Sequence, residues 1–350
     1  MHAYRGQRNY GCRIHDQYRF MGMRVIVLEN QLVRISILPD KGTEIMEYLY
    51  KPLDLDFMWL TDQGVQNRAG DLPASADSRF SFIDDYSGCW QEIFPNGGTP
   101  SHYMGAGYGQ HGEVSHMKWD YEIVEDSEQS VAVRFTVKTR LMPFRLTKTV
   151  SLRSHAAELT IHEEATNLSP VALRYMWGQH LALGKPFLEE GCRIELPDGL
   201  RVIADPLDAQ DGQRCRVARG AEYAWPQAAG PDGDAVDLSV LPPAGTPSEI
   251  VYVTGFQENG WYRVTNDRLG AGIQVDWDAK EMPYLWFWQE FGDTKRYPWY
   301  GRHYNIGLEP FSSYPTHGLE QAVRNGSAGQ IAGGETRTFT LSTTLFTLHR

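Results

Sequence analysis

Val131-Ala132-Val133-Arg134-Phe135-Thr136-Val137-Lys138 keeps apolar side chains on odd positions, and Leu146-Thr147-Lys148-Thr149-Val150-Ser151-Leu152 keeps them on even ones. Glu158-Leu159-Thr160-Ile161-His162 then resumes the alternation. A period of two is what an extended strand needs to put one face in a core and the other in water. Met142-Pro143 supplies a turn between the first two runs, so the three read as an antiparallel meander.

Outward from this meander, segments rich in β-branched and aromatic residues recur at Val25 to Leu38, Glu249 to Phe256, Trp261 to Thr265, Gly272 to Trp277, Tyr284 to Phe291 and Thr336 to Leu348. Gly, Pro, Asn and Asp clusters separate them. One helix is predicted over Thr316 to Gly326, with Thr316 as its cap and Asn325-Gly326 as a left-handed stop. A single short helix in 350 residues excludes an alternating α/β plan. The pattern predicts an all-β chain, a large antiparallel two-sheet sandwich forming one domain over residues 1–350. The stretch from about Gly64 to Gly109 reads as a loop-rich insertion.

Lys and Arg number 33 against 44 Asp and Glu, a formal net charge of −11, which argues against nucleic-acid or anionic-membrane partners. Apolar runs such as Val25-Ile26-Val27-Leu28 end long before the roughly 18 residues of a membrane span. The first residues lack the apolar centre of a secretory signal, so the expected location is cytoplasmic. Cys12, Cys89, Cys192 and Cys215 show no CxxC spacing, which predicts neither a disulfide framework nor a thiolate metal site. Aromatic residues reach 12% and crowd between Tyr284 and Tyr304, which suits either a core or stacking platforms for flat ligands.

Gly107-Tyr108-Gly109-Gln110-His111-Gly112 has the spacing of a dinucleotide loop, but Glu113 to Val124 after it reads as a strand rather than the helix such a loop must open. His111-Gly112-Glu113 matches half of a zinc deaminase signature, and its Pro-Cys-x-x-Cys half is absent. There is no GxSxG elbow and no Walker loop. His102, His111, His116 and Glu113 fall close together but too loosely for a predicted metal centre, and the expected site has neither metal nor cofactor.

More informative are His111 in Gln110-His111-Gly112-Glu113, His180 in Trp177-Gly178-Gln179-His180-Leu181, and Glu309 in Ile306-Gly307-Leu308-Glu309-Pro310. Each follows glycine-containing backbone and has an apolar or aromatic approach, which would move the acid and the imidazoles apart in pKa. One carboxylate and two imidazoles suit proton transfer near neutrality.

At these residues the chain resembles the aldose 1-epimerase, or galactose mutarotase-like, superfamily, in a divergent branch. Leu28-Glu29-Asn30 through Leu38-Pro39-Asp40-Lys41-Gly42 is similar to its first strands. Gln110-His111-Gly112 resembles its Asn-His-Gly segment, the His180 region its second histidine motif, and Leu308-Glu309 its Leu-Glu motif. Two departures stand out: Pro310-Phe311-Ser312 follows where a Gln is usual, and Leu181-Ala182-Leu183 replaces a Pro-aromatic pair. The resemblance implies a β-supersandwich and an isomerase that interconverts sugar anomers by acid–base ring opening. It makes Glu309 the general base, His180 the general acid and His111 their assistant, with Arg79 and Asp276 as sugar-binding candidates. Trp90, Gln91, Asn96, Gln179, Trp286, Trp288, Gln289 and Arg302 are further candidates to stack on or hydrogen-bond the sugar. The expected partner is a small-molecule carbohydrate, with pairing into a homodimer left open. The alternatives are a lyase on the same fold, using Arg296 and Arg302 to neutralise a uronate, and a non-catalytic carbohydrate-binding protein.

Overall fold

In the computed structural model, residues 8–67, 81–206 and 214–348 are described. The meander forms as the alternation requires: Ser130–Lys138, Phe144–Arg153 and Glu158–Asn167 pair antiparallel in sequence order. The long strand Thr336–Thr347 pairs with Glu158–Asn167 on one side and with Ala271–Asp278 on the other, extending an eight-stranded sheet.

A twelve-stranded antiparallel sheet lies against it. Its middle runs Glu44–Tyr50, Trp90–Ile93, Gly178–Gly184, Asn305–Phe311, Tyr284–Glu290, Glu249–Thr254 and Arg201–Ala204. Around half of the chain is strand, and the fold is the all-β sandwich that the alternation and the resemblance imply. One apolar cluster joins the sheets, with Ile35, Ile45 and Tyr48 from the large one and Val150, Ile161 and Leu341 from the small one.

Two local expectations change. The stretch 64–109 contains Trp90–Ile93, a central strand whose four residues are all buried, so no polar alternation marks it in the sequence. The helix is shorter, Gly318–Arg324, with His317 rather than Thr316 at its cap and no side-chain cap bond. Thr316 instead places its hydroxyl 2.8 Å from the Tyr252 hydroxyl, while Gly326, at φ 81°, supplies the expected left-handed stop. Val25 to Leu38 resolves into a hairpin of Met23–Glu29 and Val33–Leu38.

Between the sheets lies a buried polar knot. The Lys148 ammonium, 1% exposed, sits 3.2 Å from Glu92 Oε2 and 3.6 Å from Glu163 Oε1. Gln179 Nε2 donates to both Glu92 and Glu163 at 2.9 Å, and the indoles of Trp177 and Trp90 donate to Glu92 and Gln179 at 2.6 and 2.9 Å. Burial, and then the charge of Glu92, push the Glu163 carboxyl well above the ordinary range, so it serves as an acid and Lys148 faces the Glu92 charge. Removing one member of such a set leaves a buried charge without its partner, at a cost of about 3–5 kcal/mol. Lys148→Met is therefore expected to lose that much stability in denaturant unfolding, and adding Glu92→Gln is expected to restore part of it. Additive losses in the double variant would show that the two charges are not coupled.

Candidate functional site

The face of the large sheet that points away from the small one carries two of the three sequence-selected residues, His180 and Glu309, and strand register explains how. Gly178 pairs with Phe311 and Ala182 with Gly307, so His180 falls opposite Glu309 on the neighbouring strand. Since successive side chains alternate, Gln179 enters the knot behind the sheet while His180 faces outward. His111 arrives from a loop, at φ 58° in the left-handed region. It is held there by its own N–H to Gly98 O (2.9 Å) and by Gly98 N–H to its Nδ1 (3.2 Å). The same crowding selects glycines: a Cβ on Gly112 would stand 2.5 Å from Phe94 O, and one on Gly307 2.2 Å from Glu309 Oε1.

The three groups meet. His180 Nε2 lies 3.7 Å from Glu309 Oε1, and the rings of His111 and His180 are 5.1 Å apart at 81°. Tyr86 places its hydroxyl 3.5 Å from His180 Nδ1. Phe82 packs on both His111 and His180, and Trp288 on His180. Behind these rings opens a cleft of about 750 Å³.

Desolvation sets the protonation pattern. Burial drives His180 down to about 4 and His111 well below the ordinary imidazole value, the latter helped by His180 and His116. Burial alone pushes Glu309 well above the ordinary carboxyl range. Between these limits the pair holds a single proton, and His111 is neutral. Because His111 Nδ1 accepts from Gly98, its neutral ring must carry the hydrogen on Nε2 and act there as a donor.

The other sequence candidates divide. Trp286, Trp288 and Gln289 line the cleft. Trp286 does so as a nearly buried floor, stacked on Phe311 at 3.6 Å with its indole donating to Ser313 O. Gln289 accepts from Arg216 at 2.6 Å. Trp90 and Gln179 belong to the knot between the sheets. Gln91 donates to Glu44 at 2.9 Å and to Gly88 O, and is absent from the lining. Asn96 ties Thr99 O and Gly109 O to the Leu319 amide, shaping the loop that carries His111. Arg302 pairs with Asp62 at 3.3 Å outside the lining, which leaves Arg296 as the lining cation of the two named for a lyase. Asp276 lies in the eight-stranded sheet, accepting from Gln274, and Arg79 is outside the described residues.

Among the possible metal ligands, the Glu113 carboxylate accepts the amides of Arg140 and Leu141, and His116 packs edge-on against Phe82. No group of three His, Cys, Asp or Glu among the described residues is arranged to hold a metal ion. Nor is any described helix long and apolar enough to cross a membrane. Sequence reasoning passed over Phe82, Tyr86, Asp205, Arg219, Glu249, Trp299 and His317, all in the lining. Most sit on loops or strand ends, where no periodicity marks them; Trp299 at least lies inside the aromatic crowd from Tyr284 to Tyr304.

A family model described as a domain of unknown function, DUF4432, matches residues 21–345. The chain belongs to that family. No curated protein matches it in sequence. Among solved structures it is similar to one described as a "putative aldose 1-epimerase" from Klebsiella pneumoniae, at 16% identity and a TM-score of 0.73, over 95% of this chain and 83% of that one. It is also similar to a galactose mutarotase-like protein from Clostridium acetobutylicum, at 14% identity and a TM-score of 0.65, over 97% and 99% of the two chains. A galactose mutarotase related enzyme from Lactobacillus acidophilus gives 16% identity and a TM-score of 0.60, over 92% and 97%. At these identities the likeness establishes the fold, and this DUF4432 member has the galactose mutarotase-like fold that its motifs imply.

A raised carboxyl also has a stability consequence. The unfolded chain titrates Glu309 near the ordinary value of about 4.3, while the folded site holds the proton to higher pH. The stabilising contribution of that proton is complete below the unfolded value and is lost as pH rises toward the folded one. Glu309→Gln, which mimics the protonated acid, is expected to raise Tm by about 2–4 °C at pH 8. The gain should shrink toward zero at pH 4; a gain independent of pH would contradict the raised carboxyl.

Proposed function

We propose that this protein is a cofactor-independent carbohydrate mutarotase, an isomerase that interconverts the α and β anomers of a free sugar by opening and reclosing its ring. The observation that carries this reading is the His180–Glu309 pair, 3.7 Å apart at the floor of an aromatic-walled cleft. The two oxygens on an anomeric carbon are about 2.3 Å apart at ordinary bond lengths. An acid and a base at this separation reach one oxygen each.

Entry of the sugar's polar groups draws the shared proton onto His180 and leaves Glu309 as a carboxylate. Glu309 then takes the proton of the anomeric hydroxyl while His180 Nε2–H delivers its own to the ring oxygen. The C1–O5 bond breaks, and the electron pair of the former hydroxyl becomes the aldehyde carbonyl. Rotation about C1–C2 and return of the two protons by the reverse path give the other anomer, with no net proton taken or lost. His111 Nε2–H donates to the oxygen on which charge builds during opening. The rings of Trp288 and Phe82 shield the pair from water and offer apolar faces to the sugar's C–H groups. Likeness in fold to a protein described as a "putative aldose 1-epimerase" and to a galactose mutarotase-like protein supports the same reading.

Anomerisation of freshly dissolved aldoses, followed by polarimetry or NMR, tests it. Wild type is expected to accelerate at least one sugar, and Glu309→Gln and His180→Asn are each expected to lose about 10²–10⁴-fold in kcat. Full activity in either variant, or acceleration of no sugar, would sink the assignment. The profile of kcat/KM against pH should be bell-shaped, because the pair must hold one proton. Its acid limb should lie near pH 4, where His180 gains a second proton, and its alkaline limb above the ordinary carboxyl range, where Glu309 loses the only one.

A further inference from the structure

The cleft extends well beyond the anomeric pair. Across the large sheet one row of outward-facing side chains runs His180, Glu309, Trp286, Tyr252, each opposite the next in strand register. Tyr252 anchors a second polar group that the ring-opening chemistry does not use. Its hydroxyl donates to Asp205 Oδ2 at 2.9 Å and accepts the Thr316 amide at 3.0 Å. Asp205 Oδ1 lies 3.0 Å from His317 Nε2, where the imidazole donates to the carboxylate and keeps Nδ1 for another partner. Nearby, Arg219 pairs with Glu249 at 3.1 Å, and its buried Nε has no hydrogen-bond partner. Asp205, Arg219, Glu249 and His317 all line the same cleft as Glu309 and His180.

Distance decides what this second group reads. Strands in a sheet are about 4.8 Å apart, so the Tyr252–Asp205 end lies two to three spacings, roughly 10–14 Å, across the sheet from Glu309. A pyranose spans only about 6 Å from O1 to O4 at ordinary bond lengths. A single ring bound with its anomeric carbon between Glu309 and His180 leaves the far end unfilled, and the cleft, at about 750 Å³, has room for more than one ring.

Charge decides the chemistry of the extension. The far end presents the carboxylates of Asp205 and Glu249 against the guanidinium of Arg219. A surplus of carboxylates repels an anionic substituent, whereas adjacent donors and acceptors match hydroxyl groups, which both donate and accept. We infer that the substrate is a neutral reducing oligosaccharide of at least two rings, whose second ring is held by hydroxyl contacts to Asp205, His317 and Arg219. This rests on the anomerisation reading for the placement of the first ring.

The test compares anomerisation of cellobiose, maltose and lactose with that of glucose and galactose, in wild type, Asp205→Asn and Arg219→Gln, with Tm measured on each. The expected result is a kcat/KM for at least one disaccharide about 10-fold or more above that of its monosaccharides, a ratio that each variant lowers by about 10-fold, as loss of a hydrogen bond to a charged group requires. Monosaccharides turned over as well as disaccharides, with the ratio unmoved in both variants, would overturn the inference and leave the ring-opening reading intact. If wild type turns over none of these sugars, the ring-opening reading fails, and calorimetry decides the subsite: cellobiose, maltose or lactose binding more tightly than glucose, and less tightly to Asp205→Asn, supports it. Equal or absent binding of all the sugars overturns it.

Discussion

The buried contact of Lys148 with Glu92 and Glu163 is the constraint on which the rest of this molecule depends. Lys148 and Glu163 stand on the small sheet, while Glu92 and Gln179 stand on two adjoining strands of the large one. Polar groups placed between two apolar layers tolerate no sliding, because any slip strands a charge without a partner. A one-residue slip would also exchange the two faces of a strand. By fixing Gln179 toward the core, the knot fixes His180 toward the cleft, and structural chemistry on one side of the sheet sets the geometry of the candidate site on the other.

The cleft side spends stability in the opposite sense. His111 occupies a left-handed backbone conformation that a non-glycine residue adopts at some cost, and two hydrogen bonds to Gly98 hold it there. Glu309 and His180 sit where water cannot solvate their charged forms. Each alone would be a defect. Together they hold one proton between the lowered value of His180 and the raised value of Glu309, and a shared proton is what the proposed ring opening needs. The central strands Gly178–Gly184 and Asn305–Phe311 are buried at every position, covered by the other sheet on one face and by the loops of the cleft on the other. The enclosure that perturbs the proton affinities thus comes from loops closing over a sheet.

Much of this architecture is legible in the sequence. The meander from Ser130 to Asn167 and the strands Ala271–Asp278 and Thr336–Thr347 carry the alternation of half-buried sheets, and they form where it places them. Trp90–Ile93 carries no such signal because both its faces are covered, so a central strand looked like part of an insertion. Among the sugar-contact candidates, the same ambiguity put Trp90 and Gln179 beside Trp288, although the first two face the other sheet. An aromatic residue or an amide in an all-buried strand reads the same whichever way it points. Phe82, in the single helical turn Ser81–Asp84, and Tyr86 and Asp205, on a loop and a strand end, escaped notice because segments so short carry no period by which to weigh them.

The sequence by itself determined the all-β class, the order of most strands and the three residues that meet at the cleft floor, because periodicity and local motif chemistry are written in consecutive residues. Only the tertiary structure decided which face of each central strand became the site, how far the cleft extends past Glu309, and which protons the buried pair holds. Those properties come from register between strands distant in the chain and from exclusion of water by converging loops, and neither is encoded in any single segment.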